Sequence, residues 1–244
     1  MTDQLLSELR KMRSTRTNLG LLAGMIALIL VFLLAVGLTG TANDLADHDH
    51  QHRLFSVGTQ AALFATLIGV MAITSEFRHG TIRPTFVVTP HRGRVIAAKV
   101  VSSLLMGLVF GAFAIGLSFG VGYLILLARG AHLALDRNHV LLLVLGTIAM
   151  TALWAALGVG LGAVIKNQVF AIITLLVWTG VVNPILDSAV PGAGRYTPIA
   201  ASASLTADPA HYLLSPLSGG LLLLAYTAVF VAAGHLLVAR RDVT

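Results

Sequence analysis

Long apolar runs separated by short polar segments recur along the whole chain. A membrane-spanning helix needs roughly 20 predominantly apolar residues. Segments of that length and character are residues 19–40, 55–73, 100–127, 140–165, 169–186 and 219–238. The pattern therefore predicts an all-α integral membrane protein in which residues 1–244 form a single domain with six transmembrane helices.

The first 18 residues precede the first apolar run and have a helical pattern of their own. Leu5, Leu6, Leu9 and Met12 recur at helical spacing, and polar residues occupy the rest of the helical wheel. This pattern predicts an amphipathic helix over residues 1–18 that lies on the membrane surface. A frayed polar tail is the alternative.

The composition agrees with a membrane protein and excludes some chemistry. The chain is 57% hydrophobic and 11% charged, whereas a soluble domain is usually about 45–50% apolar and about 25% charged. It has no cysteine, which excludes disulfides and thiolate metal sites. The net charge of +6 is better explained by membrane topology than by nucleic-acid binding, so no nucleic-acid partner is expected.

The basic residues are distributed unevenly between the two sides of the predicted bundle. Twelve of the 16 Lys and Arg residues fall on the side of the N-terminus, and the other four are Arg53, Arg129, Arg137 and Arg195. Since basic residues collect on the cytoplasmic side of membrane proteins, both termini are predicted to be cytoplasmic in a multi-pass protein of the plasma membrane.

Two predicted outer segments could do more than connect helices. Residues 187–218 contain "YTPIAASASL", which is too apolar for a plain solvated loop and suggests short helices that re-enter the membrane. The stretch "DHDHQH" holds weak metal-ligand candidates at His48, His50 and His52. A short, flexible, solvated loop is the favoured interpretation of that stretch, because no second cluster completes a site.

Catalytic motifs are absent from the chain. It has no phosphate-binding loop, no His-Glu-x-x-His helix and no Gly-x-Ser-x-Gly turn, so it is not predicted to be an enzyme or to bind a cofactor itself. Few ionisable residues fall inside the spans, which argues against an ion-driven carrier.

Polar and amphipathic residues inside the spans could line a substrate path, or could instead bond helix to helix. They include Tyr123, Thr151, Trp154, Trp178, Asn183 and Tyr226.

The densest charge cluster lies between the second and third spans, in residues 76–99. Gly80 and the prolines mark breaks around a short apolar stretch, "IRPTFVVT", with Thr81 as a reasonable N-cap. Arginine dominates the cluster, and its planar guanidinium suits docking to carboxylates of a protein partner. This pattern predicts a short cytoplasmic helix with an exposed Phe86.

The segment "EFRHGTIRPTFVVTPHRGRVIAAK" is similar to the corresponding region of permease subunits of type-2 ABC exporters. The shared pattern is Glu, aromatic, Arg, one residue, Gly-Thr, an apolar stretch, Thr/Ser-Pro, basic residues, and a Lys that opens the next span. The order of elements along the chain also resembles that family.

The resemblance implies an ATP-driven exporter of the bacterial inner membrane, built from two permease subunits, expected to be a homodimer, and a separate cytoplasmic ATPase that binds ATP and Mg. Its coupling residues would be Glu76, Phe77, Arg78, Gly80, Thr81, Arg83, Pro84, Phe86, Arg92 and Arg94. The cargo would be hydrophobic or amphipathic. An ion-driven secondary transporter and a non-transporting membrane partner or sensor remain the alternatives.

Overall fold

The computed structural model describes residues 7–8, 10–11, 15–39, 45, 47–80, 92–208 and 214–240. All regular structure in these ranges is helical, and six helices in them are long and apolar enough to cross a membrane. The predictions of an all-α fold and of six hydrophobic spans are confirmed.

Ten α-helices make up the described fold. They are α1 (Arg16–Thr39), α2 (His48–Phe55), α3 (Ala61–Arg78), α4 (Arg92–Ala128), α5 (Arg137–Ile165), α6 (Gln168–Val177), α7 (Asn183–Ala189), α8 (Pro191–Gly194), α9 (Pro198–Leu205) and α10 (Pro216–Arg240). A 3-10 turn, Ser56–Gln60, joins α2 to α3, and a π-helical segment, Trp178–Val182, joins α6 to α7.

These helices combine into six candidate spans, numbered in chain order. The spans are Arg16–Thr39, His48–Arg78, Gly93–Ala128, Arg137–Ile165, Gln168–Ala189 and Pro216–Val238. Span two thus consists of α2, the 3-10 turn and α3, and span five consists of α6, the π-helical segment and α7.

The bundle has two ends, which we name by their chemistry. The charged end holds Glu8, Lys11, Glu76 and Lys99, and the histidine end holds His48, His52, Asp136 and His139. At the histidine end the Arg129 guanidinium after span three donates a hydrogen bond to the Gly37 carbonyl of span one, at 3.2 Å.

Spans two and four form the centre of the bundle. In each of them 56% of the most apolar window is buried, against 17% in spans one and five. The two central helices approach backbone to backbone, because a Cβ at Gly69 would meet the Ala155 carbonyl and a Cβ at Gly158 would meet the Thr66 carbonyl. Glycine is required at both positions for this close approach.

Span five changes its helical geometry halfway along its length. Pro184 has no N–H to donate to the carbonyl four residues earlier, and its ring would crowd that carbonyl. The Asn183 N–H instead bonds to the Trp178 carbonyl, five residues back. The resulting π-helical segment, Trp178–Val182, lies beside the cavity described below, and such segments are frequent at functional sites.

Several helices begin or end at residues other than those predicted. Span two begins at His48 rather than residue 55, because the Asp47 side chain accepts from the His50 N–H and caps α2. Span two also continues to Arg78 and α4 begins at Arg92, so Glu76 and Lys99 are helical rather than part of a connection. Residues 187–218 hold α8 and α9 between spans five and six.

Candidate functional site

A lysine is buried at the charged end of the bundle, inside span three. The side chain of Lys99 is 2% exposed. Its Nζ donates to Glu76 Oε1 at 2.7 Å, to the Ala72 carbonyl at 2.9 Å and to Glu8 Oε2 at 2.9 Å. An ammonium group has three donors, so the bonding capacity of Lys99 is fully used.

The N-terminal segment contributes the other half of this charge cluster. Ser7, Glu8, Arg10 and Lys11 are helical, and Glu8 is buried. Lys11 Nζ donates to Glu8 Oε1 at 2.8 Å and contacts Glu76 Oε1 at 3.4 Å. The cluster therefore contains two cations and two carboxylates, so its formal charges cancel.

The pKa values of the N-terminal groups reflect this pairing. Burial by itself raises the pKa of Glu8, but the charge of Lys99 and the hydrogen bonds from Lys11 and Lys99 outweigh it, so the pKa lies below its ordinary value. Burial likewise opposes the charged form of Lys11, but the hydrogen bond and charge of Glu8, with a contribution from Glu76, raise the Lys11 pKa.

The cluster joins three parts of the chain that lie far apart in sequence. Glu76 is in the last turn of α3, Lys99 is in the second turn of α4, and Glu8 is in the N-terminal segment. In sequence, residues 79–91 connect α3 to α4, the two helices that carry Glu76 and Lys99.

The predicted coupling residues are only partly described. Phe77 is half-buried with the Lys166 ammonium 5.4 Å from its ring centroid, and Arg78 reaches Gln168 Oε1 at 3.5 Å. Gly80 has a left-handed backbone, with φ of 67°. Arg92 begins α4 and Arg94 is exposed. The predicted coupling residues Thr81, Arg83, Pro84 and Phe86 lie outside the described residues.

A cavity of about 450 Å³ opens between spans two, four and five and helix α9. Its lining mixes apolar and polar side chains: Ser56, Thr59, Gln60, Ala62, Leu63, Thr66, Met150, Trp154, Leu175, Thr179, Gly180, Ile199, Ser202, Ala203, Thr206 and Asp208. The indole Nε1 of Trp154 donates to Ser202 Oγ at 2.6 Å, which ties span four to α9. This volume and mixed lining are typical of small-molecule sites.

Of the six residues predicted for a substrate path, Trp154 lines this cavity. Thr151 bonds to the Thr147 carbonyl within its own helix, and Asn183 donates to Asp187 Oδ2. The Tyr226 hydroxyl donates to the Tyr196 carbonyl. The remaining two residues, Tyr123 and Trp178, are on the surface of the bundle, with exposures of 50% and 36%.

The histidine stretch differs from its predicted form. It is helical as α2 rather than a flexible loop, and His48 meets a second cluster formed by Asp136 and His139, which the sequence did not indicate. His50 and His52 are not in that three-residue group. Each has a buried Nε2 that lacks a hydrogen-bond partner among the described residues.

Sequence reasoning missed several residues that the fold brings to these sites. The sequence near Glu8 could have indicated its role, because Glu8 is the acid beside the basic residues Arg10 and Lys11 in a segment predicted to be amphipathic. Asp136 had a signal as a helix N-cap, since an Asp just before an apolar run is typical of a helix start, but nothing in the sequence paired it with His48. The polar residues of the cavity wall, such as Ser202 and Asp208, had no comparable signal.

A scan against protein-family models finds no match for this chain, and a search of curated proteins finds none either.

Proposed function

We propose that this chain is the membrane-spanning subunit of an ATP-driven exporter whose ATPase is a separate protein. The observation that supports the proposal most strongly is the charge cluster in which buried Lys99 binds Glu8 and Glu76, with the exposed Lys11 at its edge. It lies where spans two and three approach the ends that residues 79–91 join in sequence. In this proposal both termini and the charged end face the cytoplasm.

The cluster suits the transmission of force from a partner to the spans. Spans two and three both end at the connection, so a partner that pushes on residues 79–91 acts on both helices at once. Lys99 then links that movement to the N-terminal segment through Glu8. The switch between inward and outward access requires only that the partner binds the two arrangements of the bundle with different free energies.

The partner in this proposal is an ABC-type ATPase that binds ATP and Mg. Residues 82–88 would form the helix that enters a cleft of the ATPase, with Phe86 as its apolar anchor. Arg83, Arg92 and Arg94 would contact carboxylates of the ATPase or anionic lipid. Two copies of the chain and two ATPase subunits would complete the transporter in the plasma membrane.

The cavity between spans two, four and five supports a proposal for the kind of cargo. Apolar side chains such as Leu63 and Met150 face it together with hydroxyl and amide groups from Ser56 and Gln60. A volume of about 450 Å³ accommodates a small organic molecule rather than a polymer. We therefore propose export of a small hydrophobic or amphipathic compound.

Affinity purification from native membranes tests the proposal. The wild-type chain is expected to retain a protein with a phosphate-binding loop and ATPase activity, and Phe86→Asp is expected to lose both while still inserting into the membrane. An exposed arginine outside the proposed helix, changed in Arg53→Ala at the histidine end, is the matched control and should retain the ATPase.

Two other outcomes point to the alternative functions. Transport by the purified chain that persists without ATP and stops when an ion gradient is removed indicates an ion-driven carrier. Retention of partners that lack a phosphate-binding loop, together with no transport, indicates a sensor or an assembly partner. Either result contradicts the proposal.

A further inference from the structure

Three potential metal ligands converge at the histidine end from two separate helices. His48 begins α2, and Asp136 caps α5, in whose first turn His139 lies. One ligand atom from each of the three side chains lies within 4.8 Å of the other two. The rings of His48 and His139 meet edge to face, with 4.6 Å between their centroids.

A buried glutamine holds the two helices in this arrangement. Gln51 is fully buried one turn after His48. Its side-chain amide donates to the Leu45 carbonyl at 2.9 Å and to the His132 carbonyl at 2.7 Å, and its oxygen accepts from the Ala134 N–H at 2.7 Å. The segment that leads to Asp136 is thus fixed against the helix that presents His48.

Ligand chemistry at this site favours a transition-metal ion. Imidazole suits Zn²⁺, Co²⁺, Ni²⁺ and Cu²⁺, whereas Mg²⁺ and Ca²⁺ prefer oxygen ligands alone. His139 Nδ1 and Asp136 Oδ1 lie 2.7 Å apart, so these two candidate ligands already face each other. The carboxylates of Asp47 and Asp49 lie at the start of α2 and offset the positive dipole of its N-terminus.

The spacing of the three candidate ligand atoms is compatible with a small movement of their side chains onto one ion. Ligand atoms about 2.0–2.1 Å from a tetrahedral Zn²⁺ are about 3.3 Å from one another. The side chains of His48 and His139 are 39% and 38% exposed, so both rings have room to rotate toward a shared ion.

We propose that His48, Asp136 and His139 form a binding site for a divalent transition-metal ion that cross-links spans two and four at the histidine end. The 3-10 turn that follows α2 contributes Ser56, Thr59 and Gln60 to the cavity wall, and span four contributes Met150 and Trp154. A bound ion would therefore restrain the two helices that flank the cavity. This site does not depend on the identity of the ATPase or the cargo.

Metal titration of the full chain, purified in detergent with a tag that contains no histidine, tests the proposal. With Co²⁺ as the probe, the wild type is expected to bind one equivalent and to develop visible d–d absorption, which Zn²⁺ displaces. His48→Gln and His139→Gln are expected to weaken Zn²⁺ binding about tenfold or more. The matched controls His50→Gln, on the same helix, and His79→Gln, near the charged end, should bind as the wild type does.

A further variant distinguishes the loss of a metal ligand from a loss of folding. Asn is as good an N-cap as Asp, so Asp136→Asn should keep the metal-free melting temperature of the wild type and still lose affinity for Zn²⁺. The proposal is overturned if the wild type does not bind Co²⁺. It is also overturned if His50→Gln weakens binding as much as His48→Gln while His139→Gln has no effect, since the stretch 47–52 would then chelate the ion alone.

Discussion

The two ends of this bundle differ in the burial and in the hydrogen bonding of their polar side chains. At the charged end Lys99 is buried and gives each of its three donors to an oxygen of Glu8, Glu76 or Ala72. At the histidine end His48 and His139 are partly exposed, and the buried Nε2 atoms of His50 and His52 have no partner among the described residues. A cluster whose charges cancel suits a permanent contact, whereas the partly exposed rings of His48 and His139 suit the reversible binding of an ion.

Removing the central cation of the charged end should give the largest effect on stability. Lys99→Ala removes the buried cation and leaves the two carboxylates with the exposed Lys11 alone, and breaking a buried ion pair in this way costs about 3–5 kcal/mol. Arg94→Ala, an exposed cation in the same helix, should cost less than about 0.5 kcal/mol. Reversible denaturation in detergent micelles measures both free energies of unfolding.

Replacing Lys99 together with its two carboxylate partners separates the effect of charge balance from the effect of packing. The combined variant Glu8→Gln, Glu76→Gln and Lys99→Met removes every charge that Lys99 pairs with, so it should recover most of the stability that Lys99→Ala loses. A cost below about 1 kcal/mol for Lys99→Ala would show that the two ends do not differ as we describe.

Acid should release the N-terminal segment while the histidine end keeps its helices. A carboxyl whose pKa is lower in the folded state stabilises that state above its ordinary pKa, and the stabilisation disappears as the pH falls through the lowered value. Glu8 has such a lowered pKa, so the segment should detach as the pH falls below the ordinary range of a glutamate and through that lowered value. Lys11, whose pKa is raised, supports the contact until the pH rises above that raised value.

A single fluorophore can report this release, because the chain has no cysteine and a cysteine placed at the exposed Ser7 would be unique. Its mobility should increase in acid in the wild type. In Glu8→Gln the label should already be mobile at neutral pH and show no acid transition. A transition that persists in Glu8→Gln would assign the release to another group.

The smallest effect on the free energy of unfolding is expected for substitutions at the histidine end in the absence of metal. Asp136 Oδ1 accepts from the His139 N–H at 3.2 Å and caps α5. Asp136→Ala should cost about 1 kcal/mol, and Asp136→Asn close to nothing, because Asn also caps helices. Equal losses in the two variants would indicate that the carboxylate charge, rather than the cap, stabilises this end.

The six spans were predictable because hydrophobicity is a local property that any window of about 20 residues reveals. The partnership of Lys99 with Glu8 was not predictable, since Glu8 lies 91 residues from Lys99 in sequence and only the packing of the N-terminal segment against span three brings them together. The same reason applies to His48 and His139, which belong to different helices. The helical state of residues 48–55 was missed because the cap at Asp47 outweighs their polar composition.

Site-specific photo-crosslinking tests the central proposal, that an ATPase engages the connection at the charged end, most directly. A photoreactive amino acid replaces Phe86 in one variant and the exposed Asp49 of the histidine end in another, and cells are irradiated before membranes are solubilised. We predict an adduct with a phosphate-loop ATPase from position 86 and none with that protein from position 49. The absence of an ATPase adduct from position 86, or equal adducts from both positions, would contradict the account.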